Sequence, residues 1–249
     1  MSKVVLILGS SSDVGMAYMH YLEKLQTKTE KFRIIAHYNN MNSNLSKIIK
    51  LCNNISIDPF KANLEVNGDI LKLINYIEAN YNCPDYILHL PAKKLKYARI
   101  AQFDYDEMIK DLNIQLFSLM GVCRVFLPLM ARKNFGKVIV LTSAVTLGTP
   151  PKFMSSYVTI KYALLGLVRS LAAEYETRGI NINAIAPNLL KTKFLSNLDE
   201  TLIKSAEDSL PLRRAIYLEE VVSAIHFLFS ENANCFSGVN MNLSGGEYM

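Results

Sequence analysis

The sequence predicts an α/β protein: a doubly wound, parallel sheet of about seven strands with helices on both faces. Three observations carry this. Short apolar runs recur along the chain, continuous rather than alternating, as expected of strands buried on both faces. Segments with helical periodicity separate them. The first run, Val4 to Leu8, passes through the Gly-rich turn Gly9-Ser-Ser-Ser-Asp-Val-Gly15 directly into a helix.

That helix carries Val14, Tyr18, Tyr21, Leu22 and Leu25. Strand, Gly-rich turn and helix together form the context of a phosphate cradle. Gly9 permits the tight turn and Gly15 close helix packing. Backbone N–H groups at the helix start, over Ser11, Ser12, Asp13 and Val14, would face a pyrophosphate. Asp13 is expected to cap the helix, with its charge pointing away from that anion.

The second strand, Arg33 to His37, ends in Tyr38-Asn39-Asn40. An acid at this strand end would bind free ribose hydroxyls and indicate NAD(H). None is present, and Asn39 stands at the expected ribose. The reading therefore leans to NADP(H) over NAD(H), although no cation sits there either. The third strand covers about Ile55 to Ala62 and leads to Asn63 and Leu64. A helix with Ile70, Leu73, Ile74 and Ile77 precedes the fourth strand, Tyr86 to Leu90, and then Pro91 and Ala92. The segment Met108 to Met130 is apolar over most of its circumference beyond Leu112, so it should be buried on several sides. Asn113 within it is either a satisfied core amide or a functional one.

Val138 to Thr142 is the fifth strand, and Ser143 follows at its end. Ser155 and Ser156 are expected N-caps of a helix with Ile160, Leu164, Leu167, Val168 and Leu171, ending near Arg178 with Gly179 as C-cap. Tyr157 and Lys161 lie four apart on it, one turn above each other. An ammonium beside a phenol favours the phenolate, so the tyrosine pKa is expected to fall. Such a phenol can exchange a proton near neutral pH, while the Ser143 hydroxyl holds a carbonyl oxygen. Tyr-x-x-x-Lys alone is common on helix surfaces. A nucleotide site in the same chain is what gives it weight.

Asn181 to Ala186 is the sixth strand and ends at Pro187. Thr192 to Leu212 mixes polar and apolar residues without strand character. Glu219 to Ser230 reads as a helix, and Val239 to Leu243 as the last strand. With no repeat, linker or low-complexity segment, residues 1–249 are expected to form one domain.

The composition limits the function classes. Cys52, Cys83, Cys123 and Cys235 are scattered, with no C-x-x-C, which argues for a reducing, cytoplasmic setting and against zinc. The four histidines show no metal-ligand spacing. No run is read as long enough to cross a membrane, and the N-terminus lacks a signal-peptide pattern. The net charge of +5 suits an anionic ligand and does not point to nucleic acid.

These residues together resemble the short-chain dehydrogenase/reductase family over essentially the whole chain. The matches are Gly9 and Gly15, Asn113, Ser143, Tyr157-x-x-x-Lys161, Pro187 with Thr192, Pro211-Leu-Arg-Arg, and Ser237-Gly-Val-Asn-Met-Asn-Leu-Ser-Gly-Gly246. The resemblance implies a Rossmann-type fold and hydride transfer between a nicotinamide cofactor and a carbonyl or alcohol. It implies Tyr157 as acid/base and Lys161 as ribose ligand that lowers the tyrosine pKa. Ser143 would orient the carbonyl, Asn113 would hold a relay water, and Pro187 and Thr192 would seat the nicotinamide end. It also implies a homotetramer or homodimer. Length and C-terminal pattern most resemble 3-oxoacyl-acyl-carrier-protein reductases, which places a 3-oxoacyl thioester among the substrates.

The chain departs from the family in the cofactor half. Leu8 stands for the usual Thr, Asp13 for the middle glycine, and His89-Leu-Pro-Ala92 for Asn-Asn-Ala-Gly. Asn63 stands for the adenine-contacting Asp, and Asn188 for the Gly after Pro187. Ala173 replaces the arginine expected of acyl-carrier reductases. Two segments are expected to frame the substrate: a lid at about 192–212 with Phe194, Leu195, Leu198, Leu202 and Ile203, and the cationic run Lys93 to Arg99. The competing class is a non-catalytic nucleotide-binding or regulatory protein on the same fold.

Overall fold

A computed structural model describes residues 2–25, 31–196 and 198–248. Seven parallel strands form one sheet in the order β3-β2-β1-β4-β5-β6-β7. They are β1 (Lys3–Leu8), β2 (Phe32–Tyr38), β3 (Ser56–Lys61), β4 (Tyr86–His89), β5 (Gly136–Leu141), β6 (Ile180–Pro187) and β7 (Asn240–Leu243). The helices are α1 (Asp13–Leu25), α2 (Ser43–Leu51), α3 (Asn67–Tyr81), α4 (Tyr105–Leu112), α5 (Ser118–Lys133), α6 (Ser155–Glu174), α7 (Glu200–Ser209) and α8 (Leu218–Phe229).

Successive side chains on a strand point to opposite faces, and the two halves of the core follow from that. Leu6 and Leu8 of β1 pack with α3, α5 and α6. Val5 and Ile7 of the same strand pack with α1, α2 and α8 on the other face. A strand covered on both sides has no polar face to show, hence the continuous apolar runs.

Several boundaries differ from expectation. Met154, not Ser155 or Ser156, is the N-cap of α6. That helix ends at Glu174, and Gly179 is not its C-cap. Gly179 has φ +66°, and a Cβ there would lie 2.2 Å from the Asn134 carbonyl oxygen, where the turn after α5 crosses the entry to β6. The segment 192–212, expected to lack strand character, holds a 3-10 turn (Lys193–Leu195) and α7.

α4 and α5 join through a π turn, Asn113–Phe117, into one helical run, Tyr105–Lys133. At 29 residues this run is long and apolar enough to cross a membrane, which corrects the expectation that no segment is. Part of its apolarity is a packing requirement. Leu119, Val122, Cys123, Phe126, Leu127 and Met130 are buried in the core against the sheet and α3.

Candidate functional site

The strand order reverses direction between β1 and β4, and ligands of such sheets bind in the crevice that opens there. The crevice is real in this chain. A cavity of about 950 Å³ runs across the carboxyl ends of the strands.

Its cofactor end is built by the Gly9 turn. Gly9 has φ +79°, and a Cβ on it would come within 3.2 Å of the Pro91 backbone nitrogen. Only glycine lets the ends of β1 and β4 approach this closely. A Cβ on Gly15 would lie 2.9 Å from Ser10, so Gly15 lets α1 seat on the turn, as expected, without lining the cavity itself. Ser11, Ser12, Asp13 and Val14 line the cavity at the start of α1. The Ser12 hydroxyl, not Asp13, accepts the Gly15 N–H, at 3.1 Å. Asp13 instead accepts the Lys193 backbone N–H from across the cavity, at 2.7 Å. Asn39 after β2, Asn63 and Leu64 after β3, and Pro91 and Ala92 after β4 complete this end.

His37 is a structural determinant that the sequence reading inspected only as a missing acid. Its ring is buried. Nδ1 accepts the Gly9 N–H at 3.1 Å, and Nε2 pairs with the Ala62 carbonyl at 3.1 Å. Its own carbonyl accepts both the Ser10 N–H and the Ser10 hydroxyl at 2.8 Å. One residue thus ties the glycine turn to the ends of β2 and β3. Burial lowers its pKa to about 4, so it is neutral, as an acceptor Nδ1 requires. The signal was available: a polar residue closing an apolar strand beside the glycine turn. His89, at the end of β4, is fully buried. Burial lowers its pKa to about 3, and its Nδ1 has no hydrogen-bond partner among the described residues.

At the other end Ser143, Tyr157, Lys161, Pro187 and Thr192 all line the same cavity. Ser143 follows the end of β5, and its hydroxyl faces the Tyr157 phenol closely enough to favour the phenolate. The Lys161 ammonium lies 5.6 Å from the Tyr157 ring centre and donates to the Leu141 carbonyl at 3.0 Å. The surroundings of Tyr157 raise its pKa, against the expected fall. Burial and, less so, Asp111 push the phenol up to about 12, against the opposing effect of the Ser143 hydroxyl. Lys161 is itself deeply buried and lowered to about 8, so it loses its charge before the phenol titrates and does not pull the phenol down. Asn113 does not line the cavity. Its side-chain amide donates to the Glu65 carbonyl at 3.3 Å, which makes it a satisfied group at the start of the π turn.

The substrate side is apolar. Leu95, Val145, Met154 and Leu195 form a buried cluster, with Tyr157, Phe194, Leu198 and Ile203 packed against it. The Phe194 and Tyr157 rings stand 5.8 Å apart. Glu247 and Tyr248, near the C-terminus, also line the cavity, and nothing in their spacing announces it. Two of the four cations in the run from Lys93 to Arg99 are paired. Lys93 reaches Glu65 at 3.6 Å and Glu107 at 3.2 Å, and Lys96 reaches Glu107 at 3.8 Å.

A family model described as enoyl-(acyl carrier protein) reductase matches residues 25–247. The chain belongs to the short-chain dehydrogenase/reductase family. It is an NAD(P)-dependent oxidoreductase. Similar curated relatives include the 3-oxoacyl-(acyl-carrier-protein) reductases of Rickettsia prowazekii and Staphylococcus epidermidis. The first is 28% identical, covering 99% of this chain and 97% of the relative. The second is 24% identical, covering 100% of both. Among solved structures, levodione reductase superposes with a TM-score of 0.85 at 21% identity over 98% of this chain and 97% of that one. A 4-hydroxyisoleucine dehydrogenase complexed with NADH gives 0.84 at 22% identity, over 98% of each. At these identities the two structures speak for the fold.

Lys161 makes a testable contribution to stability. The folded protein releases its proton near pH 8, while the unfolded chain holds it to the model-compound value of 10.5. Between these values the unfolded chain binds more protons, so this residue's contribution to stability rises with pH there. Below pH 8 the full cost of burying the cation is present. The stability difference between the wild type and Lys161→Met should therefore move in favour of the wild type from pH 8 upward. Urea unfolding across that range measures it, and a constant difference would refute the shift.

Proposed function

We propose that the protein reduces a carbonyl with an apolar arm, using NADPH, and that a 3-oxoacyl thioester is its substrate. The observation that carries this is the meeting of Ser143, Tyr157 and Lys161 at one end of a dinucleotide-sized cavity whose remaining wall there is apolar. The residues fit a nicotinamide dinucleotide: a glycine that a Cβ would block, a helix start beside it, and amides at Asn39 and Asn63. When bound, that cofactor supplies the hydride.

The chain's own residues then handle the oxygen. The Ser143 hydroxyl holds the carbonyl oxygen, and the Tyr157 phenol donates its proton to the oxygen as negative charge develops. A phenol held near 12 is protonated at neutral pH, the state that reduction needs. Lys161 binds the cofactor's ribose and keeps positive charge beside the phenol as the proton leaves. Pro187 and Thr192 seat the nicotinamide. Asn113 acts indirectly, by fixing the π turn. The lid swings Phe194 off Tyr157 to admit the carbonyl.

The four cysteines are unpaired, which supports the cytoplasmic reading. Phe103, Tyr105, Phe117, Met120 and Tyr162 are exposed on and beside α4, α5 and α6. We assign this apolar surface to a homodimer or homotetramer contact.

Three measurements test the reading. With a 3-oxoacyl carrier-protein thioester and NADPH, Tyr157→Phe should lower turnover by about a hundred- to ten-thousand-fold while cofactor affinity stays near wild type. A Phe variant of near-normal rate would remove the mechanism. In a thermal-shift titration, NADPH should raise the melting temperature at lower concentration than NADH, because no acid stands at His37 to Asn40. The reverse order would assign the ribose to Asn39 and Asn40. Light scattering should return a mass two or four times 28.1 kDa, and a monomer mass would exclude the contact.

A further inference from the structure

We infer that Asp13 is a resident stand-in for the cofactor's diphosphate: its carboxylate tethers the lid in the free protein and weakens dinucleotide binding. The inference rests on the functional reading above only for the identity of the competing anion.

Asp13 opens α1, where a positive helix end and unsatisfied N–H groups favour an anion. The same place is where a diphosphate would bind. Yet Asp13 does not cap its own helix, because the Ser12 hydroxyl does so. Its carboxylate spans the cavity to the Lys193 N–H, 180 residues along the chain, at 2.7 Å. Lys193 begins the 3-10 turn that carries Phe194 onto Tyr157. Beside the apolar cluster of Leu95, Val145, Met154 and Leu195, the lid's hydrogen bond from the Leu95 N–H to the Phe194 carbonyl is long at 3.4 Å. The Lys191–Glu207 ion pair ties the lid only to its own α7. Asp13 is thus the described link between the phosphate loop and the lid.

Two consequences follow from this placement. A fixed negative charge beside the diphosphate position repels the ligand. And a dinucleotide that takes over the helix end displaces the carboxylate and frees the lid for the carbonyl. A single residue couples cofactor arrival to lid release.

Two variants separate charge from hydrogen bond. Asp13→Asn removes the charge but keeps an oxygen that can accept the Lys193 N–H. Asp13→Gly removes both. Calorimetry with NADPH should show the dissociation constant falling about tenfold in each, with the gain shrinking as salt rises. Trypsin, without any cofactor, should cut after Lys191 or Lys193 faster in Asp13→Gly and at the wild-type rate in Asp13→Asn. Equal or weaker NADPH affinity in both variants, at unchanged melting temperature, would overturn the repulsion. Wild-type trypsin kinetics in Asp13→Gly would overturn the tether. If the wild type binds neither NADPH nor NADH, the functional reading fails, and the cofactor-free trypsin comparison still decides the tether.

Discussion

The site depends on one close backbone approach, that of the Gly9 turn to the end of β4. β1 and β4 are neighbours in the sheet, but the chain leaves them in opposite directions, so their carboxyl ends part and a crevice opens. The Gly9 turn can lie against Pro91 only because it has no side chain and a positive φ. His37 locks that turn from β2 with Nδ1 and its carbonyl, while Nε2 holds the ring to the end of β3. Such a lock tolerates little change, since an unpaired buried polar group costs about 1–3 kcal/mol.

Burial governs the chemistry at the other end. The low dielectric around Tyr157 and Lys161 favours the neutral form of each, so the phenol rises and the ammonium falls. The lid contributes to this environment, because Phe194 stands over Tyr157 and shares its apolar cluster. Lid position and proton affinity are therefore one problem. Whatever moves Phe194 also changes the water available to the phenol.

Surface charge matters less than its local count suggests. The run from Lys93 to Arg99 holds four cations, but Lys93 and Lys96 both turn to Glu107 on α4. The pairing fastens the loop to α4 and reduces its pull on a distant anion. The single carboxylate of Asp13 has more leverage, because it lies inside the cavity.

Much was legible in the sequence because local chemistry determines it. Apolar runs bounded by turns gave seven strands in order, and the four-residue spacing of Tyr157 and Lys161 put both on one helical face. Gly9 and Gly15 marked the turn because few other residues could occupy it. What the sequence left open depends on partners far along the chain. The Asp13 carboxylate met a backbone N–H 180 residues away instead of capping its own helix. His37 found its partners across three strands, and Asn113 found the Glu65 carbonyl rather than the cavity. The phenol's pKa went up, not down, because spacing places an ammonium beside it but only the folded core sets how much water reaches the pair.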